Sequence, residues 1–191
     1  VIQCMNTDRI CLFTDTGRMH AIKVPDLPYG KFRDKAFPVD NYSNYDSSVE
    51  QAVFVCSMEE LLRGKLLFVT KYGMAKQVNG SEYDVRTKTS AATKLNEGDQ
   101  VIFAGLTEEG TQVVLQSEEG YFLRFPAEEI PEKKKAAIGV RAMKLGAKDS
   151  LEAVYLIRSG EERTILYKEK ELSLLRLKTA GRDQKGTKIR V

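Results

Sequence analysis

The sequence predicts an all-β fold of the propeller class, and three observations support that prediction. One hairpin pattern recurs: an apolar strand, a short polar turn that ends in glycine, and a second strand with a basic residue. The turn glycines Gly17, Gly73 and Gly120 are 56 and 47 positions apart, close to the roughly 40–50 residues of a four-stranded propeller blade. Short runs rich in β-branched and aromatic residues alternate with turn residues along the chain. Together these features predict about four blades of four-stranded antiparallel sheet.

Short strands account for most of the predicted structure. The three hairpin copies span Leu12–Lys23, Leu67–Lys76 and Val114–Phe125, and a weaker fourth copy pairs Thr164–Lys168 with Leu174–Leu177. Glycine in the turns supplies the positive φ that tight hairpins require. In chain order the predicted strands are Ile10–Phe13, Met19–Val24, Ala52–Cys56, Lys65–Thr70, Val101–Leu106, Val113–Gln116, Tyr121–Phe125, Leu151–Ile157 and Thr164–Tyr167.

Helical signals are few. Ser57 followed by Glu60 at the third position is the pattern of a capped first turn, so a short helix is expected there. The segments Gly80–Tyr83 and Ala127–Ile130 occupy the same place after the second hairpin strand and are predicted to be short turns.

A connector rich in basic residues follows each hairpin. The four connectors are Tyr29–Ala36, Val85–Ala91, Pro131–Arg141 and Lys178–Lys188. After them an apolar strand is expected to return, at Pro38–Val39, Ala142–Leu145 and Ile189–Val191. We therefore expect one domain over residues 1–191, with blades at about 1–56, 57–106, 107–157 and 158–191.

Composition bounds the class of protein. With 42% hydrophobic and 30% charged residues, the 191-residue chain can bury a core and is not disordered by composition. No run approaches the ~18 apolar residues of a membrane helix, and no secretory leader opens the chain. Because it begins at Val1, we expect it to be a piece of a longer protein. The odd set Cys4, Cys11 and Cys56 predicts reduced thiols rather than disulfides or a zinc site.

The sequence offers no constellation of catalytic residues. His20 is the lone histidine, which argues against His-based metal or triad chemistry, and we expect it on the surface of its strand. No Gly-x-x-x-x-Gly-Lys loop is present, so the chain should not hydrolyse ATP. No cofactor or metal is expected. The acidic pairs in turns are interpreted as solubilising.

Several motifs resemble one known family. Phe13–Arg18 is similar to its Phe-Thr-x-x-Gly-Arg hairpin, and Leu95–Asp99 fits its Leu-x-x-Gly-Asp turn. Gly139–Leu145 is similar to its Gly-Val-Arg strand, and Gly181–Lys188 to its Gly-Arg-x-x-x-Gly connector. The family is the C-terminal domain of the A subunit of bacterial type IIA topoisomerases, DNA gyrase and topoisomerase IV. The resemblance extends over essentially the whole chain.

The resemblance implies a β-pinwheel, in which propeller-like blades exchange strands and a basic rim binds and bends duplex DNA without sequence specificity. The parent protein would be an ATP-dependent type II topoisomerase, and this piece alone would not be an enzyme. The implied partners are duplex DNA, the ATPase B subunit of a heterotetramer, and the catalytic N-terminal core of the polypeptide to which this domain belongs. The implied location is the bacterial cytoplasm, with the nucleoid.

Two departures favour topoisomerase IV over gyrase. The gyrase domain carries a Gln-Arg-Arg-Gly-Gly-Lys-Gly-like box in its first blade, and the corresponding connector here has no such box. Gyrase domains also have about six blades, against the four expected here. A gyrase domain that wraps DNA stays an alternative, as does a protein-interaction propeller, although the chain lacks the tryptophan of the commonest such family.

Net charge is only +3, which by itself gives little indication of DNA binding. The prediction of a DNA site therefore depends on where the cations lie along the chain. Lysine and arginine neutralise phosphates and release counterions. Simpler roles stay open: Lys133–Lys135 as a solvated loop, Arg141 as a structural residue, and Arg18, Lys76 and Arg124 as ion-pair partners of turn carboxylates. The candidate DNA-binding residues are Arg18, Lys31, Arg33, Lys35, Lys71, Lys76, Arg86, Lys88, Arg124, Lys133, Lys134, Lys135, Arg141, Arg182, Lys185 and Lys188.

Overall fold

The computed structural model describes residues 1–31 and 33–190, and that part of the chain is almost entirely β-structure. The helix α1 spans Met58–Leu62. The strands, in chain order, are β1 Arg9–Thr14, β2 Arg18–Lys23, β3 Ala52–Ser57, β4 Lys65–Thr70, β5 Met74–Asn79, β6 Thr89–Ala91, β7 Val101–Thr107, β8 Gln112–Ser117, β9 Tyr121–Pro126, β10 Val140–Arg141, β11 Leu151–Ile157, β12 Thr164–Tyr167, β13 Lys170–Ser173 and β14 Thr187–Lys188. The all-β prediction is confirmed.

Three sheets have four antiparallel strands, and each takes its fourth strand from later in the chain. Their orders are β3-β1-β2-β6, β10-β5-β4-β7 and β11-β8-β9-β14, and β12 pairs with β13 in a fourth sheet. Each four-stranded sheet thus consists of a hairpin, the long strand that precedes the next hairpin, and a short strand donated by the connector after that next hairpin. We call β6, β10 and β14 the donated strands. This exchange is the arrangement that the pinwheel expectation requires.

The two edges of each four-stranded sheet have different surroundings. β3 and β11 both pack against β7, so these three edges converge on one axis. The donated strands form the opposite edges and therefore lie on the outer rim. The cores fill the spaces between successive sheets: one contains Phe13 and Phe68 from the first two sheets, and the next contains Leu67 and Phe125 from the second and third.

The local signals place most elements correctly. The side chain of Ser57 accepts a hydrogen bond from Glu60 N at 3.1 Å, so the capped helix is confirmed. Gly80–Tyr83 is a 3₁₀ turn, and another 3₁₀ turn spans Ala127–Glu129. None of the helical segments in the described chain has the length and apolar character that crossing a bilayer requires.

Four expected strands differ. Pro38 precedes a 3₁₀ turn at Val39–Tyr42, so the strand predicted at Pro38–Val39 is wrong. The second strand of the fourth hairpin is β13, and Leu174–Arg176 forms a 3₁₀ turn whose Leu174 is buried. The strands expected at Ala142–Leu145 and Ile189–Val191 are misplaced, because β10 ends at Arg141 and β14 ends at Lys188. Val191 lies outside the described residues.

Gly186 lies just before the donated strand β14, where a side chain is expected to disturb the exchange of that strand. Its φ is +78°, and a Cβ there would lie 2.4 Å from Phe122 O. Gly160 has φ +77° with nothing within 4 Å of a Cβ. Gly160→Ala is expected to cost about 1 kcal/mol of unfolding free energy from backbone strain. Gly186→Ala should lower the unfolding free energy by about 2 kcal/mol, measured by urea denaturation. The added Cβ clashes with Phe122 O, and this clash displaces β14 from β9. Equal losses of unfolding free energy in the two variants would contradict this account of how β14 packs against β9.

Candidate nucleic-acid interface

The donated strands and the connectors that lead into them carry exposed cations along the outer rim. In the first sheet, Arg86 and Lys88 precede β6 and both are exposed. Arg18 begins β2, is exposed, and lies opposite Ala91 of β6. Arg18 forms no ion pair with a carboxylate in the described chain. The ion-pair alternative for Arg18 therefore has no support in the structure.

In the second sheet the cations belong to the loop Lys133–Lys135, which leads toward β10. The loop is fixed through its backbone: Lys133 N donates to Gln77 O at 2.8 Å and Lys135 N donates to the Glu82 carboxylate at 2.9 Å. Lys133 and Lys134 are exposed, and the Lys134 ammonium lies 3.3 Å from Glu82. These contacts lower the pKa of Glu82, with the Lys135 amide as the largest cause. The side chains of Lys133 and Lys134 therefore extend into solvent from a loop with an ordered backbone.

In the third sheet two lysines share one aromatic ring. Lys185 and Lys188 place their Nζ atoms 4.4 and 5.2 Å from the ring centroid of Tyr121 on β9. Both distances are within the range of cation–π attraction. Tyr121 was not among the residues expected to contribute, since nothing in the sequence shows that β14 pairs with β9.

The connector of the first hairpin contributes a separate group of cations. Lys31, Arg33 and Lys35 are exposed, none of the three belongs to a helix or strand, and Asp34 accepts a hydrogen bond from Lys31 N at 2.6 Å. Lys71 is half-buried in the second hairpin turn. The structure does not bring these four cations onto a donated strand.

Lys76 and Arg124 both donate to backbone carbonyls of later segments of the chain. Lys76 is 1% exposed, and its ammonium donates only to backbone carbonyls of the following connector. Arg124 Nη1 donates to Leu175 O at 2.6 Å and to Leu177 O at 3.3 Å. Lys76 binds the connector Pro131–Arg141, and Arg124 binds the segment just before the connector Lys178–Lys188. Among the described residues, neither forms the ion pair with a turn carboxylate that was the alternative. We remove them from the proposed DNA-contacting set.

Arg141 and Arg182 are also engaged within the protein. Arg141 pairs with both carboxylate oxygens of Asp183, and this contact lowers the pKa of the Asp183 carboxyl. Arg182 binds the backbone of two other segments, through Glu129 O at 3.0 Å and Arg141 O. The structural alternative for Arg141 is therefore supported, and the two arginines link neighbouring connectors on the rim.

His20 is buried, so the expectation of a surface position is wrong. Its Nε2 lies 2.6 Å from Glu50 and its Nδ1 lies 3.0 Å from Thr89 of β6. Burial alone would raise the pKa of Glu50, but hydrogen bonds from Thr14, Thr16 and His20 outweigh it and lower that pKa. The network joins β2, the donated strand β6 and the segment before β3.

The exposed groups at the rim are of a kind that binds anions electrostatically. Within residues 1–31 and 33–190, no group of three or more His, Cys, Asp or Glu residues could hold a metal ion. Burial raises the pKa of Cys11 to about 12, so this thiol is not a nucleophile at neutral pH. What remains exposed at the rim is a series of ammonium and guanidinium groups on successive sheets, suited to a polyanion.

Comparison with known proteins matches this chain to one family. Residues 64–108 and 111–158 match the family model described as DNA gyrase C-terminal domain, beta-propeller. The DNA gyrase A subunit of Lawsonia intracellularis is 27% identical over 190 residues, which cover 94% of this chain and 23% of that protein. The DNA gyrase A subunit of Chlamydia muridarum is 30% identical over 148 residues, 76% of this chain and 18% of that protein. The chain thus spans about a fifth of the length of these relatives.

Solved structures give the same fold. The C-terminal domain of DNA topoisomerase IV superposes with a TM-score of 0.87 and 26% identity, covering 97% of this chain and 59% of that one. The DNA gyrase A C-terminal domain superposes with a TM-score of 0.73 at 18% identity, covering 96% of this chain and 60% of that one. The second likeness, at this identity, supports the fold alone.

Proposed function

Because the chain belongs to the family of C-terminal domains of type IIA topoisomerase A subunits, we propose that it binds duplex DNA along its outer rim. The observation that carries the proposal is the recurrence of exposed cations beside successive donated strands. We call seven of these the rim cations. They are Arg18, Arg86, Lys88, Lys133, Lys134, Lys185 and Lys188.

A rim of this kind would bind the phosphate backbone and bend the duplex. Lysine and arginine contacts to phosphates position DNA and carry no direct sequence information. Bending a short site by 40–90° costs on the order of 1–6 kcal/mol, which one blade could not offset with one or two contacts. Several blades that present cations along a convex edge could offset this cost together. DNA bound in this way would be presented to a catalytic core for strand passage.

The parent protein is proposed to be a bacterial type II topoisomerase of the topoisomerase IV kind. The first connector lacks the gyrase box, and the topoisomerase IV domain superposes with the higher TM-score of the two compared above. The curated relatives are gyrase A subunits, so a DNA-wrapping gyrase domain is the second candidate. In the parent, the domain would act with the N-terminal core and the ATPase B subunit, in the cytoplasm.

Duplex binding at two salt concentrations tests the proposed function. Fluorescence anisotropy with two duplexes of unrelated sequence should show similar affinities at about 50 mM salt. Raising the salt to about 200 mM should weaken both by at least about tenfold, because counterion release drives binding. Undetectable binding at the lower concentration would contradict the proposal, and so would an affinity that is insensitive to salt.

Asp183→Asn is expected to strengthen duplex binding about threefold. The change removes one negative charge from the rim and releases the guanidinium of Arg141, which Asp183 binds through two hydrogen bonds. Asparagine tolerates the left-handed backbone at this position, where φ is 66°. Anisotropy titration at about 100 mM salt measures the effect. Glu108→Gln, which removes an exposed carboxylate from a turn between β7 and β8, is the control and should change affinity less. Equal effects would contradict a local role.

A further inference from the structure

Lys76 occupies a position that lysine seldom takes in a protein. It lies on β5, is 1% exposed, and faces the connector that leads to β10. Its Nζ donates to Lys134 O at 3.0 Å, Lys135 O at 2.9 Å and Ala137 O at 2.5 Å. The three carbonyls use all three donors of the ammonium group, so the charge is buried with its hydrogen bonds satisfied.

The connector that Lys76 holds is the loop with the most closely spaced rim cations. Glu82 and Gln77 fix two backbone amides of this loop, and Lys76 fixes three carbonyls on the far side. The backbone of Lys133–Lys135 is thereby held by four hydrogen bonds, and a fifth holds the carbonyl of Ala137 just beyond it. The side chains of Lys133 and Lys134, which make no contact with Lys76 themselves, remain exposed.

We propose that Lys76 is a positioning residue that holds the loop Lys133–Lys135 in the conformation that presents Lys133 and Lys134 to duplex DNA. The Lys135 ammonium donates to Glu82 O at 3.2 Å and is not one of the rim cations. The inference rests on the proposed function, because it assigns the loop to the DNA-binding rim. Ordering the loop before binding lowers the conformational entropy that binding would otherwise lose. Lys76 therefore strengthens DNA binding without touching DNA.

The protonation of Lys76 gives the proposal a signature in pH. Burial lowers the pKa of Lys76 to about 8, and the charge of Glu82 opposes that shift. Other charged groups near it are Lys134 and Lys135 of the loop, and Lys94 and Asp99 across a small cavity. An unfolded chain keeps this lysine protonated to a higher pH than the folded protein does. Between about pH 8 and the unfolded pKa, folding therefore releases a proton, and rising pH stabilises the folded form.

Lys76→Met tests the proposal, because methionine keeps the volume and removes the donors. We expect trypsin to cleave after Lys133–Lys135 about tenfold faster in the variant without DNA, and duplex affinity to fall about fivefold. Ile22→Ala is the control: it removes buried volume from the first sheet, where Ile22 is 3% exposed, and destabilises the protein without touching the loop. That control should show neither change at a temperature where both variants are folded.

The pH arm separates positioning by a buried ammonium from simple packing. In urea denaturation, the unfolding free energy of wild type minus that of Lys76→Met should increase as the pH rises from about 8 to about 10. Comparison with the variant cancels the opposite trend from Cys11 and Cys56, whose pKa values burial raises.

The two proposals can fail separately. If wild type does not bind duplex DNA, the proposed function fails, and this inference fails with it. If wild type binds DNA and Lys76→Met loosens the loop without weakening affinity, the positioning role is overturned while the proposed function stands. If Ile22→Ala weakens DNA binding as much as Lys76→Met does, general destabilisation explains the result and the positioning role is again overturned.

Discussion

Reversing the charge of Lys133 and Lys185 together is expected to weaken duplex binding about 100-fold at about 100 mM salt. The two exposed residues lie on connectors of different sheets, so the double variant removes cations from two blades of the rim. Each lost phosphate contact reduces the magnitude of the slope of log affinity against log salt concentration by about 0.9. The slope should therefore fall by about 2 in anisotropy titrations of Lys133→Glu with Lys185→Glu.

The matched control reverses Lys23 and Lys170, which are exposed and are not among the rim cations. It changes the net charge by the same amount. Its affinity should fall only by the few-fold effect of overall charge at this ionic strength. If the control weakens binding as much as the rim variant, binding depends on total charge and the rim is not the site.

Replacing His20 by leucine is expected to lower the free energy of unfolding by about 3 kcal/mol, because the buried carboxylate of Glu50 loses its imidazole partner. The side chains of both residues are 1% exposed, and the Nε2 contact to Glu50 is 2.6 Å. Urea denaturation at neutral pH measures the loss. The loss should appear first in the first sheet, where this network joins β2 to the donated strand β6 through Thr89.

A second substitution separates the pair from packing. In His20→Leu with Glu50→Gln the buried charge is gone, so the double variant should recover about 1 kcal/mol or more relative to His20→Leu. The pH dependence has a definite sign. The pKa of Glu50 is lowered in the folded state, so its contribution is complete above the unfolded pKa and is lost as the pH falls through the folded value. A His20→Leu protein within about 1 kcal/mol of wild type would contradict this account.

The hairpins could be predicted from the sequence because their determinants are local. Short apolar runs place β4 and β8, and Gly73 has the positive φ that its turn requires. The donated strands could not be located, since β10 and β14 are two residues long and exist only through pairing with strands far away in the chain. Local propensity carries no signal for such a strand.

The interface was only partly predictable for the same reason. Lys133 and Lys185 are exposed as expected, because lysine in a glycine-flanked or polar connector rarely has a buried partner. Lys76 is the opposite case: its burial depends on carbonyls 58 to 61 positions away. Leu123 occupies the equivalent position three residues after the third turn glycine, so the repeat itself does not reveal the role of Lys76.

The rim can be tested most directly by the reactivity of its lysines. Acetylation with and without a saturating duplex, read by mass spectrometry, reports the burial of each ammonium on complex formation. The account predicts that DNA protects Lys88, Lys133, Lys185 and Lys188, while Lys23 and Lys170, which are also exposed, react as before. Protection confined to Lys31 and Lys35, or spread equally over all exposed lysines, would contradict the claim that the donated strands carry the DNA-binding surface.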